Sequence, residues 1–376
     1  MLSCDVLIVG GGPAGSTLAR QLVRAGRDVT VMDKQTFPRD KICAGWITPA
    51  VVASLGLDCA DYAKGRVLQP VHGFRTGVIG GAEAKVHYRD AASYGIRRCE
   101  FDHYLLERSR ARLVLGESLK TMVREDGAWL VNGKIRASLV VGAGGHFCPV
   151  ARALGNELGQ TETIVAAQEI EVPLSERQRG EIGFDNEVAQ LYFCPDLKGY
   201  GWCFPKGDYL NVGLGREDSH KLSEHVQAFC NWLRARGSIP RDLPGKLHGH
   251  AYLLYPSSRR QLTGEGVLLI GDAAGLAYPQ SGEGIRPAVE SALMAAEVIF
   301  DAGGDYRQAR LAPYVGRLMA RFGKRDADAP RSSWLPEKFR RRLAAKLLAT
   351  RWFARHVVVD RWFLHAGQPA MPERRR

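Results

Sequence analysis

The first apolar segment of the chain, residues 4–26, reads CDVLIVGGGPAGSTLARQLVRAG. Its opening run, CDVLIVG, predicts a short buried strand, and STLARQLVRAG predicts a helix. Between them, Gly10, Gly12 and Gly15 follow the spacing G-x-G-x-x-G, with Ala14 in the same turn. Such glycines let the backbone approach a pyrophosphate at a helix N-terminus. The segment predicts a dinucleotide site, with a purely structural glycine turn as the alternative.

A second predicted strand, DVTVMD, ends on Asp33, 18 residues after Gly15. At this position an acidic side chain accepts hydrogen bonds from ribose hydroxyls. We therefore count Asp33 and the adjacent Lys34 among the cofactor-binding residues.

The composition limits the class of protein. A chain of 376 residues exceeds one ordinary core, so we expect two domains or one domain with a large insertion. Eight cysteines without a CxxC pair, and no signal-like segment before the first strand, predict reduced thiols and a cytoplasmic protein. No apolar stretch approaches the length of a membrane span.

A distant segment completes the nucleotide site. GVLLIGDAAG, residues 266–275, predicts another buried strand, and LAYPQSGEGIRPAVESALMAAEVI predicts a long helix after it. With the N-terminal glycines, this pattern resembles the flavoprotein group of aromatic hydroxylases, flavin halogenases and geranylgeranyl reductases. The resemblance implies FAD, with Asp272 near the ribityl chain and backbone amides of the GEG turn facing the flavin ring. The residues that it assigns to the cofactor here are Gly271, Asp272, Gly282, Glu283, Gly284 and Ile285. The alternative for GDAAG is a strand-to-helix turn with an N-cap Asp.

Two further segments fit the same group, one of them incompletely. Arg98 opens a predicted helix with Phe101 and Asp102, and the resemblance implies a contact between this arginine and the cofactor. LVVGAGGHFCPVAR, residues 139–152, has Gly144 where the group usually has Asp. This change weakens the prediction of a conventional NADPH contact. No second G-x-G-x-x-G follows a strand, so a separate nicotinamide domain is not expected.

The middle of the chain alternates like antiparallel strands. In YGWCFPKGDYLNVGLG, residues 200–215, the aromatic residues recur at period two and share one face of a strand. The pattern Y-x-W-x-F-P-x7-G-x-G resembles the substrate signature of geranylgeranyl reductases. We interpret the aromatic face as the wall of a long apolar pocket beside the flavin, with an ordinary sheet core as the alternative. The predicted substrate-binding residues are Tyr200, Trp202, Phe204, Pro205, Gly213 and Gly215.

KICAGW, residues 41–46, is similar to a loop that passes over the flavin in the same reductases. We predict that Cys43 is catalytic, as proton donor or as a sensor gating the flavin, and that Cys43 and Ala44 contact the cofactor. The alternative is an inert buried thiol.

These segments predict a mixed α/β and antiparallel-β fold: a Rossmann-like FAD-binding domain with an inserted antiparallel-sheet substrate domain and a helical C-terminal tail. We assign 1–70, 95–155 and 256–300 to the FAD-binding domain, 71–94 and 156–255 to the substrate domain, and 301–376 to the tail.

The tail carries most of the net charge. From Arg331 onward, 12 Lys and Arg face 3 acids, which supplies +9 of the formal +12. Phe339, Leu343, Leu347, Trp352 and Phe353 recur at helical spacing among these basic residues, which suits an anionic membrane surface. A helix that packs on the flavin domain is the alternative. No motif for nucleic acid accompanies the charge.

The histidines do not indicate a metal site. Four of them have no ligand spacing and no defined partner, and we treat them as structural: His72, His87, His103 and His146.

The chain is thus identified as a member of the geranylgeranyl reductase family of FAD-dependent oxidoreductases. The resemblance implies a reductase that saturates C=C bonds of an isoprenoid or other apolar chain, with electrons from NADPH or a ferredoxin-like donor. Two other classes remain open. One is a flavin-dependent monooxygenase or halogenase of a small aromatic or alkene, and the other is a redox-inactive flavin-binding scaffold. The expected location is the cytoplasm, with the inner face of the membrane as a further site.

Overall fold

The computed structural model describes residues 1–157, 164–183, 185–218, 220–243, 245–325 and 336–373. The strands are β1 Leu2–Val9, β2 Val29–Asp33, β3 Trp46–Ile47, β4 Leu68–Val71, β5 Gly73–Val78, β6 Glu83–His87, β7 Ser93–Ile96, β8 Arg112–Leu115, β9 Met122–Glu125, β10 Ala128–Val131, β11 Ile135–Gly142, β12 Ile164–Pro173, β13 Val188–Phe193, β14 Gly199–Lys206, β15 Tyr209–Arg216, β16 His248–Leu253, β17 Thr263–Gly264 and β18 Val267–Leu269. The α-helices are α1 Pro13–Arg24, α2 Pro49–Ser54, α3 Cys59–Tyr62, α4 Arg98–Ser109, α5 Pro149–Ala153, α6 Glu176–Glu181, α7 Leu222–Ala235, α8 Ile285–Ala302, α9 Gln308–Leu311, α10 Pro313–Phe322, α11 Glu337–Leu348 and α12 Arg351–Phe353. Short 3₁₀ turns span Tyr255–Ser257 and Gly271–Ala274, and a π-helical segment spans Ala354–Phe363.

The nucleotide half is built on a sheet in the order β17-β18-β11-β1-β2-β8, with β9 and β10 attached through β11. The pairs of β1 with β2 and β11, of β11 with β18, and of β2 with β8 are parallel. Strand β2 is buried at every residue, and residues of α1 and α8 belong to the same hydrophobic core as this sheet. Burial on both faces explains why β1, β2 and β18 read as continuous apolar runs.

The second half is built on a sheet in the order β16-β12-β15-β14-β13-β5-β6, antiparallel except for the pair of β13 with β5. Its two faces differ because side chains alternate along each strand. One face packs on α7 through Ile170, Cys203 and Phe229. The other face carries Trp202 and Phe204 and turns toward the nucleotide half. The mixed fold that the sequence predicts is therefore confirmed, whereas the division into domains stays a prediction.

A small sheet in the order β3-β7-β4 joins the two halves. Loop 41–46 enters this sheet at β3, and the amide of Ile96 donates to the Gly45 carbonyl at 2.7 Å. This bond anchors the loop that carries Cys43.

The tail differs from the single amphipathic stretch that the residue spacing suggests. Helix α11 ends at Leu348, and the chain then turns through α12 into the π-helical segment. Val358, Val359 and Phe363 are buried against the aromatic face of the second sheet. The tail therefore divides into an exposed basic helix and a segment that completes the core, because the aromatic face has apolar surface left to cover.

Candidate cofactor and substrate site

The glycine turn at the end of β1 is closely packed at two positions and open at the third. A Cβ atom on Gly10 would lie 2.4 Å from the Ala143 carbonyl oxygen, and one on Gly15 would lie 1.9 Å from the Gly10 oxygen. At Gly12, the N-cap of α1, the nearest atom would be 3.6 Å away, and no side chain caps the helix. The turn thus leaves the N-terminus of α1 free for an anionic group.

Acidic and basic side chains border this space. The Asp33 carboxylate at the end of β2 accepts from the amides of Gly11 at 2.7 Å and Gln35 at 2.9 Å. Lys34 is exposed. Arg39 lies next to Gly12, with Nη2 3.2 Å from Asp102 Oδ2, and its Nη1 is buried without a partner among the described residues. Arg39 was not predicted from the sequence, because its position in the loop after β2 is the only sequence feature that points to the cofactor site.

The distant GDAAG and GEG segments meet the first glycine turn in space. A Cβ on Gly271 would lie 3.0 Å from Ala14 Cβ, and one on Gly284 would lie 2.9 Å from Asp272 Oδ1. Burial raises the pKa of Glu283 to about 8, and neither of its carboxyl oxygens has a partner in the described chain. Ile285 begins α8 and is buried. The cofactor residues predicted from separate segments therefore form one edge of the nucleotide half.

A cavity of about 80 Å³ lies beside the GEG turn. Loop 41–46, the aromatic face of β14 and the GEG turn at 282–284 meet at this cavity. Strand β16 and the tail form its other walls. Its lining includes Cys43, Ala44, Trp46, Tyr200, Trp202, His250, Tyr252, Gly282, Glu283, Gly284, Ile285 and Phe363. Burial lowers the pKa of His250 to about 4, so this imidazole is neutral in the ordinary pH range.

The other predicted substrate residues support this cavity or line its neighbour. Phe204 is buried 6.3 Å from the Trp46 ring, and Pro205 pairs with Leu210 in the hairpin. Gly213 makes room for Trp202, because a Cβ there would lie 2.3 Å from the indole ring. These three residues are absent from the linings of both described cavities.

A second cavity, of about 230 Å³, adjoins the first. The two share Tyr200, Tyr252 and Gly282 as a common wall. The larger cavity is lined further by aromatic, aliphatic and a few polar residues: Val165, Phe193, Leu197, Gly199, Gly215, Arg216, Glu217, Leu254, Pro279, Gln280 and Trp362. Gly215 is the predicted substrate residue that lies here.

Buried charged side chains pack against the loop that carries Cys43. A Cβ on Gly45, whose φ is +62°, would lie 2.2 Å from the Ile96 oxygen and 2.5 Å from Lys206 Nζ. Arg98 forms a two-pronged ion pair with Asp102, both bonds at 2.8 Å. Burial disfavours the charge on Arg98, but Asp102 and the Cys43 thiol raise the pKa of Arg98 above its ordinary value. Arg98 therefore engages Asp102 and the Cys43 loop, and its contact with the cofactor stays a prediction.

The histidines treated as structural lie outside both cavity linings. His146 Nδ1 is 3.1 Å from the Arg260 guanidinium, and His72 Nδ1 is 2.8 Å from Glu187. Across the described residues, no three His, Cys, Asp or Glu side chains are grouped to hold a metal ion.

Comparisons with known proteins agree with this geometry. Residues 3–112 match the FAD binding domain family. The chain is 31% identical over 350 residues to a menaquinone reductase of Mycobacterium tuberculosis, covering 86% of this chain and 81% of that protein. It is 32% identical over 320 residues to the chloroplastic geranylgeranyl diphosphate reductase of Oryza sativa, covering 78% and 66%.

Solved structures share the fold. A geranylgeranyl bacteriochlorophyll reductase-like protein of Thermoplasma acidophilum superposes with a TM-score of 0.73 at 22% identity, covering 93% of this chain and 88% of that one. The halogenase PltM, solved with FAD, superposes with a TM-score of 0.68 at 15% identity, covering 85% and 74%.

The cofactor is FAD, and the residues present fit it. The uncapped N-terminus of α1 and the unpartnered nitrogen of Arg39 suit a pyrophosphate, and Asp33 suits a ribose. The amides of the GEG turn border the cavity that holds Cys43. The site belongs to an FAD-dependent oxidoreductase.

Proposed function

Since the chain belongs to the geranylgeranyl reductase family of FAD-dependent oxidoreductases, we propose that it reduces C=C bonds of an isoprenoid chain. The observation that carries the proposal is the cavity in which Cys43, Tyr200 and Trp202 meet the GEG turn. Its apolar and aromatic lining suits an unsaturated hydrocarbon, and the adjoining cavity offers room for the rest of a long substrate.

Reduction of an alkene requires a hydride on one carbon and a proton on the other. When bound and reduced, FAD supplies the hydride. We assign the proton to the Cys43 thiol, which lines the cavity. An isolated alkene is not polarised, so positive charge develops as the proton arrives, and the faces of Tyr200 and Trp202 stabilise it by cation–π attraction.

The second cavity favours a substrate without a charged head group. Arg216 is bound by Asp196 at 2.7 Å and by Asp218 at 2.8 Å, and Glu217 is part of the lining. Lys198 is also paired with Asp218. The cation in the lining, Arg216, is therefore already bound by two carboxylates, and this opposes the binding of a diphosphate. A neutral head group, such as the quinone in the name of the mycobacterial relative, needs no free cation.

The alternative is a monooxygenase or halogenase reaction, because the halogenase PltM shares the fold. Gly144 provides no side chain for a conventional NADPH contact, and this favours the reductase. We expect slow direct reduction by NADPH, and efficient turnover with dithionite or a reduced ferredoxin-like donor.

The deciding experiment is anaerobic turnover. Dithionite-reduced protein is mixed without oxygen with a polyprenyl quinone or with geranylgeranyl diphosphate, and product mass is measured. The head group is reoxidised to the quinone before product mass is measured. A gain of two hydrogens per event that persists in the polyprenyl chain, at a higher rate with the quinone than with the diphosphate, supports the proposal. Product that forms only after oxygen is admitted, and that gains an oxygen atom, would establish the monooxygenase instead.

Cys43 is tested in the same assay. We expect Cys43→Ala to retain FAD and to lower turnover about 100-fold, within the range for loss of a general acid. Cys59→Ala is the matched control, since Cys59 is partly exposed like Cys43 but lies outside both cavity linings. If Cys43→Ala is as active as wild type, Cys43 has only a packing role.

We also propose that the tail holds the protein against an anionic membrane. Phe339, Leu343 and Leu347 lie four residues apart on α11 and are exposed, as is Trp352, which is 67% accessible. Neighbouring positions are basic: Arg340, Arg341, Arg342, Lys346 and Arg351. This arrangement suits the interface of an anionic bilayer. Within the described residues, no helix has the length and apolar character of a membrane span.

The same region leads toward the second cavity. The ring of Phe353 is 5.9 Å from that of Trp362, and Trp362 lines the cavity. An apolar substrate arriving from the bilayer would therefore meet a continuous aromatic path from the exposed stripe to Tyr200.

A further inference from the structure

Glu169 is a buried carboxyl on the face of the second sheet that turns toward the cavity. Its side chain in β12 is 3% exposed, and Oε2 has no hydrogen-bond partner among the described residues. Glu169 pairs in register with Gly213, and a Cβ at Gly213 would lie 2.7 Å from Glu169 Cβ and 2.3 Å from the Trp202 ring. The absence of a side chain at Gly213 thus brings this carboxyl next to Trp202.

The cations around Glu169 are already engaged by other carboxylates. Lys206, fully buried, is closely paired with Glu171, and Arg98 is bound at two points by Asp102. Burial raises the pKa of Glu169 to about 7, whereas Lys206 and the backbone amide of Cys43 oppose that rise. Near neutral pH, the carboxyl is therefore present in both protonation states.

Titratable and charged groups approach Glu169 from each surrounding element. They are Glu171 on the same strand, Lys206 and Tyr200 on β14, Arg98 on α4, Cys43 on its loop, and His248 and Tyr252 on β16. Of these groups, Cys43, Tyr200 and Tyr252 line the cavity. The backbone amide of Cys43 donates to the Glu169 carboxyl, so this carboxyl lies against the loop that carries the thiol.

We propose that Glu169 is the proton reservoir that restores the Cys43 thiol after each reduction. The inference rests on the proposed function. In the first step, the S–H bond of Cys43 breaks, its proton forms a C–H bond with one alkene carbon, and the hydride from reduced FAD forms the other. In the second step, the O–H bond of Glu169 breaks and its proton returns to the thiolate. The carboxylate then regains a proton from solvent.

Other groups at the cavity are less suited to this task. His250 is neutral in the ordinary pH range, so it is not present as the imidazolium that would donate a proton. Burial raises the pKa of Tyr252 above its ordinary value, which makes the phenol a poor acid. Glu283 lines the same cavity and also has a raised pKa, but it lies on the cofactor turn, whereas Glu169 accepts from the backbone of Cys43 itself.

The first test needs no turnover. Holoenzyme is alkylated with iodoacetamide across pH 6–9, and the Cys43 peptide is quantified by mass spectrometry. Ionisation of Glu169 places a negative charge against the Cys43 loop, and we expect this charge to slow the reaction of the Cys43 sulfur with the reagent. We therefore expect an inflection near pH 7 in wild type that is absent in Glu169→Gln, with several-fold faster alkylation of the variant above pH 7. Identical profiles would overturn the proposal, whatever the protein reduces.

The second test is a double-mutant cycle measured over repeated anaerobic turnovers. For wild type we expect the repeated-turnover rate to fall as pH rises through 7, because the protonated carboxyl is lost. Glu169→Gln should be slower by at least about tenfold at pH 7, with a flat profile over this range. In the Cys43→Ala background the same change should have no further effect.

A different role for Glu169 gives different results. If Glu169 only stabilises the fold, its substitution lowers the unfolding midpoint, leaves the inflection in place and adds to the effect of Cys43→Ala. If Glu283→Gln abolishes the inflection and Glu169→Gln does not, the acid is on the cofactor turn and the proposal is wrong. If wild type reduces no isoprenoid while the alkylation result holds, the proposed function fails and the coupling of the two residues stands.

Discussion

Phe363 stands edge-on to Tyr200, with ring centroids 5.1 Å apart and planes at 88°. Phe363 also stacks on Trp46 at 5.8 Å and lines the smaller cavity. A residue near the C-terminus thus forms a wall of the site whose other walls come from residues 43–46 and 200–202.

Phe363→Ala should destabilise the protein strongly. The side chain is 2% exposed, and removal of a buried phenyl ring costs about 3–5 kcal/mol when the space does not refill. The measurement is urea unfolding of the holoprotein. Trp352→Ala is the control, because this ring is largely exposed and its loss should change stability by no more than about 0.5 kcal/mol. Similar losses for the two variants would mean that the tail does not close the cavity as described.

Gly12→Val should abolish FAD binding and leave the fold intact. At Gly12 an added side chain meets no atom closer than 3.6 Å, but it fills the approach to the N-terminus of α1. Purified variant should be colourless with a circular dichroism spectrum like that of the apoprotein. Gly15→Val is the contrasting change, since its Cβ would lie 1.9 Å from the Gly10 oxygen, and we expect it to misfold. Normal flavin content in Gly12→Val would place the pyrophosphate elsewhere.

Gly213→Ala should impair substrate reduction while FAD is retained. The new methyl group would contact both the Trp202 ring and Glu169, and the hydrogen bond from Trp202 Nε1 to Asn211 Oδ1, at 2.7 Å, limits how far the ring moves. Anaerobic turnover of long and short isoprenoids measures the effect, which we expect to be larger for long chains. Gly249→Ala in β16 of the same sheet is the matched control, because the nearest atom to an added Cβ there lies at 3.8 Å. Equal losses in both variants would indicate general damage to the sheet.

Replacing Arg340, Arg341 and Arg342 together by Ala should weaken binding to anionic vesicles. Each basic side chain near such a surface contributes roughly 1 kcal/mol, so the partition coefficient should fall on the order of 100-fold. Sedimentation with phosphatidylserine vesicles at low and high salt measures it. Ala at Lys64, Arg307 and Arg310, which are exposed elsewhere, provides a variant of equal charge change. If the two triple variants bind vesicles equally weakly, net charge rather than the tail directs the protein to the membrane surface.

The sequence predicts the nucleotide half well because its signals are local. Gly10, Gly15 and Gly271 occupy positions where a side chain has no room, so spacing alone marks them. The aromatic period of β14 also appears directly in the sequence, since residues alternate across a strand.

Other features depend on contacts between distant segments and carry no local signal. Phe363 reaches Tyr200 only because the chain turns after Leu348, and Glu169 is buried only because Gly213 and loop 41–46 pack against β12. The four-residue spacing of Arg98 and Asp102 is visible in the sequence, but the burial of their ion pair depends on the segments that pack around α4.

Arg286 connects the cofactor turn to the tail. Two residues after Gly284, its buried guanidinium donates to the carbonyls of Leu364, His365, Gln368 and Pro369. The turn proposed to present amides to FAD and the bonds that fasten the tail thus lie within one helix start. If FAD binding orders this helix start, thermodynamic linkage makes the coupling reciprocal. We therefore expect bound FAD to tighten the attachment of the tail, which carries the Phe363 wall of the cavity, and loss of the flavin to loosen it.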